Sequence, residues 1–110
     1  MRRDLIFIHS AGKQGGDDGS SRFLARLEAA LDGQFRIFAP EMPTPERPDV
    51  ELWLREIDRV VSNSKSDVRP GAVLAGHSFG GSTILQYLGR NREIYRDDNW
   101  LSAVFSISAP

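Results

Sequence analysis

Short apolar runs alternate along this chain with segments whose apolar residues recur at helical spacing. The runs are rich in β-branched and aromatic residues and are too short to form buried helices, so they predict strands. Strands and helices that alternate in this way indicate an α/β fold, because parallel neighbours need right-handed crossover connections. The predicted strands are Leu5 to Ile8, Phe35 to Phe38, Ala72 to Ala75 and Ala103 to Ile107.

Each of the three helical segments is bounded by residues that favour helix ends. The first begins at Ser20 or Ser21, which are suitable N-caps, and ends before Gly33. The second follows a cap at Asp49, and the third begins after the third strand and ends near Gly89. The faces predicted to be buried comprise Phe23, Leu24, Leu27 and Leu31; Val50, Trp53, Leu54, Ile57, Val60 and Val61; and Ile84, Leu85 and Leu88.

Composition and charge exclude several classes of function. The 110 residues are enough for one domain, which we assign to residues 1–110, and too few for two cores. The net charge of −1 comes from interspersed acids and bases, so no basic surface exists for nucleic acid. The absence of cysteine excludes disulfides and thiolate catalysis. The apolar run after Arg3 is too short for a signal or membrane segment, so we expect a soluble, cytoplasmic protein that has no membrane partner.

The strongest chemical signal is the pentapeptide Gly76-His77-Ser78-Phe79-Gly80. It lies directly after the third predicted strand and directly before the third predicted helix, which is the strand-turn-helix context of a nucleophile elbow. Its two glycines would let strand and helix pass without side-chain collision. The alternative is an ordinary strand-to-helix turn in which the small residues serve packing alone.

Three stretches of the chain carry a family resemblance. They are Phe7 to Gly12, the proline-rich link Ala39 to Asp49 with the following Trp53, and the turn around Ser78. Together they are similar to α/β hydrolases, and most of all to the small retinoblastoma-binding-protein-type and YdeN-type serine hydrolases. The resemblance implies a three-layer sandwich with four parallel strands in the order 2-1-3-4 and three crossover helices. It also places Ser78 and the His9 loop across one crevice.

This likeness suggests a role for each residue of the site. Ser78 would be the nucleophile, and it needs a base and oxyanion donors because an unassisted alcohol is a poor nucleophile. The backbone N–H of Phe79 would be one donor, and the resemblance implies that the N–H of Ala11 is the other. Ser10 stands where the family usually has glycine, so it would strain the turn if that position needed a positive φ.

Neither histidine is a convincing base. His77 adjoins Ser78 on a sharp turn, where neighbouring side chains diverge, so a structural role is favoured. His9 belongs to the loop that shapes the oxyanion site, and stabilisation of the turn through a ring hydrogen bond is favoured over a role as base. The aspartates are expected on the solvated surface or at helix caps. The resemblance implies that acid and base follow on later strands, which this chain lacks.

The expected reaction is hydrolysis of a small acyl substrate, an ester, thioester or activated amide, through an acyl-serine intermediate without a cofactor. We expect this incomplete fold to be the amino-terminal part of a longer hydrolase and to be inactive or severely impaired alone. A non-catalytic binding or scaffold remnant is the alternative. The strand at residues 103–107 would present an open edge, so self-association through it is expected.

Two other kinds of site are disfavoured. The glycine-rich loop Gly12 to Gly19 is a candidate phosphate-binding loop, but it has neither dinucleotide-binding nor P-loop spacing, and Asp17 and Asp18 would repel an anion. We interpret it as a mobile rim of the crevice. The histidines and aspartates have no metal-ligand spacing, so no metal is expected.

Overall fold

The computed structural model describes residues 3–62, 71–91 and 101–107. Its elements are β1 (Arg3–Ile8), α1 (Ser21–Ala30), β2 (Phe35–Phe38), α2 (Val50–Ser62), β3 (Ala72–His77), α3 (Phe79–Arg90) and β4 (Leu101–Ile107). The strands form one sheet in the order β2-β1-β3-β4, and each neighbouring pair is parallel. The predicted α/β fold, with a parallel sheet and three helices, is confirmed. Among the described residues, no helix combines the length and the apolar character that crossing a bilayer requires.

The two faces of the sheet carry separate cores. Helices α2 and α3 cover the face on which Ile6, Ile8 and Leu74 lie, each with 0% of its surface exposed. Helix α1 covers the opposite face, which holds Phe7 and Val73, but no residue of α1 is itself fully buried. The main core therefore lies between the sheet and the layer formed by α2 and α3.

The predicted buried face of α3 is wrong at one position. Leu85 is 56% exposed, whereas Tyr87 is 1% exposed. Residues three or four apart share a helix face, so Ile84 and Tyr87 face the core together and Leu85 turns away from it. The Tyr87 hydroxyl donates a hydrogen bond to Asp58 on α2 at 3.1 Å, which allows a polar atom to lie in this interface.

The helix starts agree with the predicted caps only in part. Asp49 caps α2, because its Oδ1 accepts hydrogen bonds from the N–H groups of Glu51 at 2.9 Å and Leu52 at 3.3 Å. Ser20 stands at the N-cap position of α1, yet its hydroxyl makes no capping bond to the helix. Its hydroxyl is used at the turns that follow β1 and β3.

A buried ion pair joins β1 to the neighbouring strand β2. Asp4 is 2% exposed and lies opposite Arg36 in the register of the two strands. The guanidinium donates from Nε to Oδ1 at 2.8 Å and from Nη2 to Oδ2 at 3.0 Å. Two parallel hydrogen bonds of this kind offset part of the cost of removing a carboxylate from water.

Candidate active site

Two turns meet at the carboxyl edge of the sheet. The β1 turn, residues 9–12, follows β1, and the serine turn, residues 76–81, joins β3 to α3. The strands pair up to Ile8 opposite Gly76, so both turns leave the sheet at the same level. A Cβ atom at Gly80 would collide with the carbonyl oxygens of Ile8 and His9. The backbones of the two turns are therefore in direct contact.

The serine turn holds its central residue in a strained conformation. Ser78 has φ 56° and ψ −118°, the region of the first central residue of a type II′ turn, which glycine normally occupies. Gly76 crosses the start of α3 closely, because a Cβ there would lie 2.6 Å from the backbone nitrogen of Gly81. The predicted strand-turn-helix context is present, and the Ser78 side chain is exposed at its tip.

Each turn has a backbone amide that lacks an acceptor among the described residues. In the β1 turn, the N–H of Ser10 donates to Ser20 Oγ at 2.7 Å and the N–H of Gly12 donates to the carbonyl of Pro45 at 2.6 Å. The N–H of Ala11, between them, has no acceptor among the described residues. Phe79 is the first residue of α3, so its N–H has no partner within the helix, and the helix dipole adds partial positive charge there.

His9 is buried with both ring nitrogens engaged. The backbone N–H of Met42 donates to Nε2 at 3.0 Å, so Nε2 is the unprotonated nitrogen. Nδ1 therefore carries the proton and donates it to the carbonyl of Ser10 at 2.6 Å. His9 makes the ring hydrogen bond to its own turn that the sequence favoured, and it ties the proline-rich link to the β1 turn.

His77 also has a partner other than Ser78. Its Nδ1 lies 2.7 Å from Ser20 Oγ, and its ring stacks on Phe23 with centroids 5.3 Å apart and planes 9° apart. No hydrogen bond joins it to Ser78 among the described residues. The ring is therefore directed to α1, as expected for a side chain adjacent to the tip of a sharp turn.

Ser10 does not strain the β1 turn. Only Thr44 and Ser78 have positive φ among the described non-glycine residues, and in the β1 turn Gly12 takes that conformation with φ 97°. The substitution of serine for the usual glycine is therefore accommodated without the penalty considered from the sequence. Its N–H and hydroxyl both contact Ser20.

Trp53 packs the second helix against both turns. Its ring is 0% exposed and stands edge-on to His9, with centroids 5.3 Å apart, and to Phe79, with centroids 4.9 Å apart. Its Nε1–H donates to the carbonyl of Pro43 at 2.7 Å, so the indole is satisfied although buried. The proline-rich link and its tryptophan thus form the floor under the two turns.

Two residues that brace the turns, Gln14 and Ser20, were missed in the sequence. Gln14 belongs to the rim loop, residues 13–19, and its side-chain amide donates to the carbonyl of Ser10 at 3.0 Å and accepts from the N–H of Ser20 at 2.9 Å. A Cβ at Gly19 would collide with this amide. The sequence indicates Gln14 only through its position, as a long neutral polar side chain in a glycine-rich loop. For Ser20 the sequence indicates nothing beyond a helix cap. The mobility proposed for the loop stays a prediction.

The described residues contain no complete catalytic triad. Neither histidine forms a hydrogen bond with a carboxylate among the described residues. The acids of the rim loop form exposed ion pairs, Asp17 with Arg22 at 3.1 Å and Asp18 with Lys13 at 3.8 Å. In the described part of the chain, no group of three or more histidine or acidic side chains could hold a metal ion.

Comparison with known protein families matches residues 5–108 to the alpha/beta hydrolase family. The matched span begins in β1 and extends beyond β4, so it includes both turns. Searches of curated proteins and of solved structures find no match.

Proposed function

The chain belongs to the alpha/beta hydrolase family, and on this premise we propose that Ser78 is the nucleophile of a serine hydrolase site. The observation that carries the proposal is the conformation of Ser78, an exposed serine at φ 56° on a turn whose flanking glycines touch backbone. Strain of about 1–3 kcal/mol persists where the surrounding structure enforces it, and such residues cluster at active sites. A packing turn would take glycine here without this cost.

The proposed reaction is acyl transfer to Ser78 followed by hydrolysis. The Ser78 oxygen attacks the acyl carbon of an ester, thioester or activated amide while a base takes its proton, and the carbonyl oxygen becomes an oxyanion. Collapse of this intermediate expels the alcohol, thiol or amine, which takes up a proton. Water then attacks the acyl-serine and releases the acid and the free hydroxyl. No metal or organic cofactor is needed for these steps.

The oxyanion would be bound by the N–H groups of Ala11 and Phe79. Both amides lack an acceptor among the described residues, and they belong to two turns whose backbones touch. The neighbours of Ala11 already have acceptors in Ser20 and Pro45, which leaves its N–H as the donor available to a substrate. Losing one such donor typically costs about 3 kcal/mol of transition-state stabilisation.

The base for Ser78 is not among the described residues. His9 has both nitrogens engaged, and His77 is held against Ser20 and Phe23. This observation favours a second candidate function, a non-catalytic binding or scaffold role for this chain. Without its base, a serine site retains only the weak acceleration that oxyanion donors and binding supply.

Labelling with a fluorophosphonate probe tests the proposal. Labelling that the Ser78→Ala variant loses would show that Ser78 is activated within this chain. Ser82→Ala is the matched control, because Ser82 is also exposed and lies one turn further along α3; its labelling should be unchanged. Labelling that occurs only in a chain extended beyond Pro110 would assign the base to that extension. Absence of labelling in both the 110-residue chain and the extended chain would favour the scaffold role.

Self-association belongs to the same proposal. β4 is the last strand in the order of the described sheet, so its outer edge would present unpaired N–H and C=O groups to another strand. We propose a small acyl substrate as the ligand of the site and a second copy of the chain as a partner at this edge.

A further inference from the structure

One buried hydroxyl is shared between the two turns. Ser20 is 1% exposed, and its Oγ lies 2.7 Å from the backbone nitrogen of Ser10, 3.0 Å from Ser10 Oγ and 2.7 Å from His77 Nδ1. A hydroxyl has one hydrogen and two acceptor sites, so three partners use its full capacity. The Ser20 hydroxyl accepts a hydrogen bond from the Ser10 N–H. Of its contacts with Ser10 Oγ and His77 Nδ1, it donates in one and accepts in the other. Ser20 is therefore available neither as a helix cap nor as a nucleophile.

The residues that Ser20 holds directly precede the site residues. Ser10 is followed by Ala11, and His77 is followed by Ser78 and Phe79. We propose that Ser20 is a positioning residue that sets the distance between the proposed oxyanion donor and the proposed nucleophile. The proposal rests on the function assigned above and adds a third element, the start of α1, to a site otherwise built from two turns.

Two direct contacts between the strands and turns do not fix this distance by themselves. The pairing of β1 with β3 ends at Ile8 opposite Gly76, before either site residue. The contact of Gly80 with the β1 turn sets how closely the backbones approach, but a steric contact limits approach in one direction only. The short bonds of Ser20 act in the other direction, because they hold the turns together. A misplacement of about 1 Å at such a site can lower a rate by about a hundredfold.

The first turn of α1 is itself anchored, so the backbone that carries the Ser20 hydroxyl is held in place. The Phe23 ring stacks on Phe7, with centroids 5.7 Å apart, and on His77, with centroids 5.3 Å apart. Removing only the Ser20 hydroxyl should leave these aromatic contacts intact. Ser20→Ala is therefore a suitable variant, since it deletes the shared hydrogen bonds and little volume.

Ser21→Ala is the matched control. Its hydroxyl also accepts a backbone hydrogen bond, from the N–H of Gly15 in the rim loop at 2.6 Å, but it contacts neither turn in the described structure. The two variants remove the same group from adjacent residues. Any difference between them reports what the hydroxyl touches.

Amide NMR spectra test the link without relying on activity. In Ser20→Ala, we expect the amide resonances of Ala11 and Phe79 to shift together, whereas Ser21→Ala should shift those of the rim loop. Shifts confined to the first turn of α1, or to only one of the two turns, would overturn the proposal. His77→Phe keeps an aromatic ring on Phe23 and removes Nδ1, so it tests the same link from the other side if Ser20→Ala does not fold.

The labelling rate of Ser78 supplies the functional test, in the shortest chain that reacts with the fluorophosphonate. We expect Ser20→Ala to lower this rate by about tenfold to a hundredfold and Ser21→Ala to leave it unchanged. The double variant Ser20→Ala/His77→Phe should lose less than the product of the single losses, since both remove one interaction. Equal rates in wild type and Ser20→Ala would overturn the positioning role even if the spectra shift. Absence of labelling in every chain would contradict the proposed function, while the spectra would still decide whether Ser20 links the turns.

Discussion

The serine turn and the β1 turn touch each other, yet different forces hold them. The serine turn is shaped by steric exclusion: Gly76 and Gly80 lie against backbone, and Ser78 is forced into a strained conformation. The β1 turn is held by polar side chains, with His9 and Ser20 bonding to its backbone. Adding an atom should therefore destabilise the serine turn, whereas removing a polar atom should destabilise the β1 turn. The three predictions that follow test this difference.

The largest expected effect comes from adding one methyl group to the serine turn. Gly80→Ala would push a Cβ into the carbonyl oxygens of Ile8 and His9, and neither backbone can move without disturbing β1. We expect the free energy of unfolding to fall by about 3 kcal/mol or more, measured by chemical denaturation.

Gly89→Ala is the control for this substitution. Gly89 is in the same helix, and an added Cβ there meets nothing within 4 Å. Because alanine favours helix more than glycine does, stability should stay level or rise by up to about 1 kcal/mol. Equal losses at both positions would show that the serine turn is not governed by steric exclusion.

The intermediate effect comes from removing ring nitrogens from the β1 turn. His9→Phe keeps an aromatic ring beside Trp53 but leaves the N–H of Met42 without its acceptor in a buried site. We expect a loss of about 2 kcal/mol in unfolding free energy, the usual cost of such an unsatisfied group.

The same change at the other histidine should cost less. In His77→Phe the stacking on Phe23 is retained, and Ser20 keeps its contacts with Ser10. Thermal unfolding of the two variants would give the comparison. A smaller loss in His9→Phe than in His77→Phe would contradict the view that polar contacts of His9 hold the β1 turn.

The smallest effect is a gain. Ser78→Gly should relieve the strain at φ 56°, and after the entropic cost of a glycine the net stabilisation should be about 1 kcal/mol. Ser78→Ala keeps the Cβ and should give no such gain. Both variants lack the Ser78 hydroxyl that the fluorophosphonate labels, so labelling cannot distinguish them. Unfolding curves measure the difference in stability between them. No difference in stability between them would mean that the strain at Ser78 does not exceed the entropic cost of a glycine.

The sequence was most informative where the physical constraint is local. A strand, a sharp turn and a helix need glycines at fixed offsets, and the spacing of Gly76, Ser78 and Gly80 reveals this within five residues. The cap at Asp49 and the orientation of His77 away from Ser78 follow equally short-range rules. These features could be predicted because one residue and its neighbours determine them.

The sequence was least informative where a contact spans the chain. Ser20 is one of two candidate helix caps in the sequence, but its hydroxyl bonds to Ser10, ten residues away, and to His77, 57 residues away. A serine before a helix has the same local pattern in either role. The N–H of Gly12 donates to the backbone carbonyl of Pro45. Every residue has a backbone carbonyl, so the sequence does not reveal which one acts as the acceptor. Residues 92–100 lie outside the described residues.

The ion pair between Asp4 and Arg36 has a consequence for the opposite end of β2. If β2 slipped by one residue along β1, the carboxylate of Asp4 would lose its guanidinium inside the protein, at a cost of several kcal/mol. The same slip would carry the chain after Phe38 along by about 3.3 Å, farther than a hydrogen bond tolerates. Met42 would then miss His9. The ion pair at one end of β1 and β2 thus fixes the register that lets Met42 reach His9 at the other end.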